Sequence, residues 1–149
     1  MKILFVCTGN TCRSPMAEAF LNMIAKENND STVCAFSRGL AAYGEPASKY
    51  SVEASKEFGA QIDSHISGQL TMDDISDSDI VLTMTKDQSM FLKSEAKKFN
   101  DKIFSISEYV DTAEISDPYG QNIDAYKKCA ELLYNACQKI YKKYLEGQI

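Results

Sequence analysis

The sequence predicts an α/β fold, one four-stranded parallel sheet with helices on both faces. Three observations predict it. Short apolar runs, β-branched and aromatic, alternate with longer segments of helical periodicity through the 149 residues. The first run, Ile3 to Val6, ends in a loop of small polar residues that leads straight into a helical segment. The last segment, about Ile123 to Leu145, repeats apolar residues at alternating three- and four-residue spacing, the mark of a helix packed along one face. Such alternation joins parallel strands by crossovers, and ligands in these sheets bind beyond the strand C-termini.

In order, Ile3-Leu4-Phe5-Val6 reads as a fully buried strand. Pro15 suits the first position of a helix running to about Glu27, because its missing N–H has no partner there anyway. Asn28 to Ser31 breaks that helix, and Thr32 to Phe36 reads as a second strand ended by Ser37-Arg38-Gly39. Cys34, inside it, is expected to be a small core residue. Leu40 to Pro46 is a loop on the ligand side, Ser48 to Phe58 a helix closed by Gly59, and Thr71 to Asp77 a short helix capped by Thr71. Asp79 to Thr83 is a third strand, Lys86 to Phe99 helical, and Lys102 to Ile106 a fourth strand. Cys137 falls on the apolar stripe of the last helix and is expected to pack.

The stretch Cys7-Thr8-Gly9-Asn10-Thr11-Cys12-Arg13-Ser14-Pro15 lies between the first strand and the first helix. Backbone N–H groups of such a loop point inward, and the helix dipole favours negative charge, so it is an anion site. The same field favours the thiolate of a cysteine at its mouth. Arg13 returns to that side, where its planar fork can hold two oxygens of a tetrahedral anion. Gly9 and Asn10 best tolerate the positive φ that a tight ring needs.

This nine-residue stretch resembles the C-x-G-N-x-C-R-S-P signature of the low-molecular-weight protein tyrosine phosphatases, and its place near the start of the chain matches too. The resemblance implies a doubly wound four-stranded sheet and a phosphocysteine mechanism. Cys7 would be the nucleophile, Arg13 and the amides of Thr8, Gly9, Asn10, Thr11 and Cys12 the phosphoryl cradle, and Ser14 the partner of the sulfur. Asp117 of Asp117-Pro118-Tyr119 would be the general acid, with Thr11, Leu40 and Tyr119 around the substrate. Cys12 would be a redox partner of Cys7, with a plain structural thiol as the alternative; Asn10 and His65 would brace the loop, with a purely structural role as the alternative for His65. Thr8 and Thr11, where many members have apolar residues, and Gly120 after Tyr119 look like the bacterial protein-arginine-phosphatase branch. Phosphoarginine is therefore the favoured substrate and phosphotyrosine the alternative. Arg38, where Ser-Ala-Gly is usual, would place a guanidinium at the pocket edge. Arsenate reductases share the loop but need further cysteines after the third strand, and Thr83 to Phe99 contains none.

Composition fits this reading. With 44% apolar and 25% charged residues, the 149 residues are expected to form one domain, residues 1–149. A net charge of −5 argues against nucleic-acid or anionic-membrane partners, and no run reaches transmembrane length. Five cysteines without close pairing, and a single histidine, make a zinc site a poor reading; no metal or cofactor is expected, since Arg13 and the amides supply positive charge. The odd cysteine count and the absence of a leader point to the cytoplasm. Partners are expected to be phosphorylated proteins, with inorganic phosphate as product and the chain a monomer.

Overall fold

The computed structural model describes residues 1–148. Its elements are β1 (Lys2–Cys7), α1 (Arg13–Glu27), β2 (Cys34–Gly39), α2 (Lys49–Lys56), α3 (Met72–Asp77), β3 (Ile80–Thr83), α4 (Lys86–Glu95), a 3-10 turn (Lys97–Lys102), β4 (Ile103–Ser105), α5 (Ile106–Val110) and α6 (Ile123–Leu145). The strands are all parallel, in the order β2-β1-β3-β4. The winding reverses beside β1, so a ligand crevice opens past its C-terminal end, at Cys7.

β1 is buried on both faces, as a central parallel strand must be. Its alternation sorts the core. Ile3, Phe5 and Cys7 join the cluster under α1 and α6, whereas Leu4 and Val6 join Ile75 of α3 and Leu92 of α4 on the other side. Phe5 and Phe20 are fully buried, each contributing on the order of 2–3 kcal/mol. Phe20, Phe58 and Tyr134 meet with centroids 5.0–5.6 Å apart, tying α1 and α6 to the turn after α2.

The expected sheet and final helix are present, with corrections at the edges. α1 begins at Arg13, so Pro15 is its third residue, still within the first turn, whose N–H groups find no intrahelical acceptor. β2 runs from Cys34 through Gly39, because it pairs residue for residue with β1 from Lys2↔Cys34 to Cys7↔Gly39. Cys34 is consequently exposed at the strand's start and is not a core residue. α4 stops at Ala96, which leaves the helical region at φ −125° and ψ 56° and lets Phe99 turn back onto the Leu4 cluster. The fourth strand is only three residues long, since Ser105 caps α5 by accepting from the Glu108 N–H at 3.3 Å. The Ser105-x-x-Glu108 spacing is the sequence signal for that unexpected helix. Cys137 is fully buried, and burial raises its thiol pKa.

Candidate active site

The loop from Cys7 to Arg13 closes around the end of β1. Its tightest residue is Asn10, in the left-handed region at φ 57°; Gly9, expected to share that role, has no positive φ. Asn10 is fully buried, and its side chain is completely used. Its Nδ2 donates to Ser14 Oγ at 2.8 Å and to Ser37 Oγ at 3.0 Å, while Oδ1 accepts the Gly68 N–H at 2.9 Å. Ser37 in turn donates to Glu18 Oε1 at 2.7 Å, and His65 Nε2 donates to the Asn10 carbonyl at 2.7 Å. Asn10 thus holds the loop from within, and His65 hydrogen-bonds to it.

These bonds have a direction. Ser14 accepts from Asn10, so its hydrogen is free for Cys7 Sγ, 2.9 Å away. The Asn10 N–H also donates to that sulfur at 3.3 Å. Two donors converging on one sulfur suit negative charge there. No side chain caps α1, so its first amides remain open to an anion in the loop.

Arg13, 4% exposed, lies under the cleft. Its Nη1 donates to the Ile115 carbonyl at 3.0 Å, and its Nη2 stands 3.7 Å from Asp117 Oδ2. Asp117 hangs in the segment between α5 and α6, where the Tyr119 N–H holds Oδ1 at 3.0 Å. Gly120, at φ +79°, closes this turn through Gln121 N–H to the Pro118 carbonyl at 3.0 Å. The Cys7 thiol, the Arg13 guanidinium and the Asp117 carboxylate thus share one cleft of about 560 Å³, with Thr8, Thr11, Tyr119 and Tyr126 among its walls. Burial raises the Tyr126 phenol.

Two expected pocket residues lie elsewhere. Leu40 packs against the Leu4 and Val6 cluster and is absent from the cleft lining. Arg38 points to the opposite face of β2 from Ser37, pairing with Asp74 at 3.3 Å beside the Phe36 ring. Strand parity explains both facts about β2: Ser37 serves the loop, and its neighbour must point away.

Other contributors carried little signal in the sequence. Gln88 of α4 caps its own helix and donates from Nε2 to Thr8 Oγ1 at 3.0 Å. Glu45, Pro46, Ala47 and Ser48 wall the cleft, and the Ser48 N–H bonds the Thr11 carbonyl at 2.8 Å. Gly39 lies beside Cys7, where an added Cβ would come within 2.9 Å of both the Thr8 carbonyl oxygen and Asn10 Cβ. Gly39→Ala is expected to cost about 1–3 kcal/mol through overpacking and to weaken phosphate-analogue binding, because the loop itself must yield. Thermal melts and vanadate titration check this; unchanged binding would mean that the clash is relieved away from the loop.

Cys12 has a neighbour that the sequence did not announce. Its thiol faces Cys129 of α6 and Ser51 of α2. The Cys129 thiol beside it lowers the Cys12 pKa, against the opposing effect of burial, and Arg13 adds to the lowering. The same neighbour and its own burial push the Cys129 thiol up.

Comparison with known proteins agrees with this geometry. Residues 2–148 match the family described as low molecular weight phosphotyrosine protein phosphatase. The chain is 34% identical over 145 residues to a protein-arginine-phosphatase of Bacillus subtilis, covering 96% of each chain. It is 36% identical over 146 residues to the low molecular weight protein-tyrosine-phosphatase PtpB of Staphylococcus epidermidis, covering 97% of this chain and 99% of that one. A solved structure of YwlE arginine phosphatase, a Cys-to-Ser mutant with a phosphorylated active-site serine, superposes with a TM-score of 0.90 at 35% identity, covering 96% of this chain and 95% of that one. On sequence and on fold alike, the chain belongs to the low molecular weight phosphotyrosine protein phosphatase family.

Proposed function

We propose that this phosphatase acts preferentially on phosphoarginine in proteins. The observation that carries the reading is the side chain at position 11. Thr11 lines the cleft, with its Oγ1 near Gly9, where a Cβ would stand 3.7 Å away. A hydroxyl there meets the atoms next to phosphorus and can accept from a guanidinium N–H, which an aryl oxygen does not offer. The similarity to the Bacillus subtilis arginine phosphatase supports this reading, and that to PtpB, of nearly equal identity, supports phosphotyrosine as the second.

In the proposed reaction Cys7 Sγ attacks phosphorus and forms the S–P bond as the P–N bond breaks. Asp117 gives its proton to the departing nitrogen, and Arg13 with the loop amides holds the oxygens in the transition state. Asp117 then takes a proton from water, which attacks phosphorus and releases phosphate and the Cys7 thiolate. Ser14, already bonded to the sulfur, eases that departure. A reversible Cys7–Cys12 disulfide under peroxide belongs to the same reading, with Cys129 competing for Cys12.

Thr11→Ile tests the substrate preference. Isoleucine leaves a buried guanidinium N–H unpaired, a loss of ~1–3 kcal/mol. At ~1.4 kcal/mol per tenfold, the ratio of kcat/KM for phosphoarginine over phosphotyrosine peptides is expected to fall by about one to two orders of magnitude. An unmoved ratio removes Thr11 as the selector; a wild type that already favours phosphotyrosine overturns the arginine reading.

A further inference from the structure

Glu45 is the cleft residue whose charge the chemistry above leaves unexplained. It stands in the loop after β2 and lines the cleft beside Pro46 and Ser48. Its backbone is clamped on both sides: the Glu45 N–H donates to Ser67 Oγ at 2.8 Å, and the Ser67 N–H donates to the Glu45 carbonyl at 2.7 Å. Pro46 pairs with Ile66 as an isolated antiparallel bridge, and the Ser48 N–H ties the same segment to Thr11. An exposed side chain thus stands on a backbone locked to the phosphoryl loop.

The other charges in the cleft are already engaged. Arg13 and Asp117 face each other. Glu45 takes part in none of the ion pairs among the described residues. Among the described residues, Arg13, Glu45 and Asp117 are the only Lys, Arg, Asp or Glu residues of the lining, so Glu45 adds a second carboxylate to a cleft built for an anion. For a phosphorylated phenol this charge only repels. For a phosphoryl group attached to, or flanked by, a cation, it attracts the part of the substrate that Arg13 repels. Tyr119 and Tyr126 offer ring surface on which a guanidinium can lie.

We infer that Glu45 is a specificity-determining residue that reads a positive charge next to the phosphoryl group. The inference deepens the phosphoarginine reading and rests on it. The cation is either the substrate's own guanidinium or a basic side chain beside it in the protein. Both present the same chemistry to the carboxylate.

The test compares wild type, Glu45→Gln and Glu45→Lys on N-acetyl-phosphoarginine amide, phosphoarginine peptides with neutral or with lysine neighbours, phosphotyrosine peptides, and p-nitrophenyl phosphate. Relative to the aryl phosphate, kcat/KM on phosphoarginine is expected to fall about 2- to 5-fold with glutamine, the range of one exposed ion pair, and further with lysine. The change should appear mainly in KM and shrink as salt is raised. A fall on the amide identifies the substrate's own guanidinium as the cation; a fall confined to lysine-flanked peptides identifies the neighbour. Equal ratios for all three proteins overturn the inference. A wild type that prefers phosphotyrosine peptides overturns the arginine reading instead, so the two failures are distinct.

Discussion

Cys7→Ser is expected to lose turnover by roughly 10⁴-fold or more, the scale on which removal of a nucleophile acts, while keeping the fold and the affinity for phosphate analogues. The serine Oγ would occupy the position to which Ser14 and the Asn10 N–H donate, so the surroundings change little. Arg13 and the amides would still hold the anion. What changes is chemistry: the alcohol remains protonated near neutrality and attacks slowly, and any phosphoserine formed loses the easy departure of sulfur. The phosphorylated serine in the YwlE mutant is that outcome in a relative. For this chain the expected readings are no steady-state turnover, a slow stoichiometric mass gain of one phosphoryl group at most, and vanadate binding close to wild type. Turnover comparable to wild type would sink the mechanism.

Asp117→Ala is the second large effect, about 10²- to 10⁴-fold for a general acid. Its size should depend on the leaving group. The guanidine nitrogen of phosphoarginine and the phenol of tyrosine need a proton to depart, whereas p-nitrophenolate leaves nearly unaided. Arg13 loses a carboxylate 3.7 Å away but keeps its bond to the Ile115 carbonyl, so its position should persist. Removing Asp117 also removes the Oδ1 acceptor that holds the Tyr119 N–H, and that loss acts on every substrate alike. The diagnostic is therefore the slope of log kcat/KM against leaving-group basicity, steeper in the variant, because kcat also contains the hydrolysis of the phosphocysteine, which no longer depends on the leaving group. A uniform loss across the series would assign Asp117 to shaping the loop alone.

The parts of the site legible in the sequence are those made by contiguous residues. Cys7 to Pro15 are neighbours along the chain, and a strand, a tight ring and a helix start impose their own spacing, so the anion site can be read without the rest of the protein. The final helix was equally plain, because its apolar stripe repeats over 23 residues. Asp117 is different. Asp-Pro by itself marks a turn, and its place in the chemistry followed from the resemblance carried by the loop; that Asp117 Oδ2 meets Arg13 depends on how the segment before α6 crosses the strand ends.

Only the tertiary structure decided which side chains surround that ring. A strand pattern says that Ser37 and Arg38 face opposite ways but not which one faces the loop; pairing of β2 with β1 sends Ser37 to Asn10 and Arg38 to Asp74. The same register brings Gly39 beside Cys7, and packing of α6 against α1 and α2 sets Cys129 opposite Cys12. Glu45 reaches the cleft because Ser67, 22 residues along the chain, clamps its backbone there, and Ile66 pairs with the neighbouring Pro46. Local propensities act over a few residues and therefore specified the strand, the ring and the helices. The contacts that tune the site join residues distant in sequence, whose meeting is set by sheet register and helix packing.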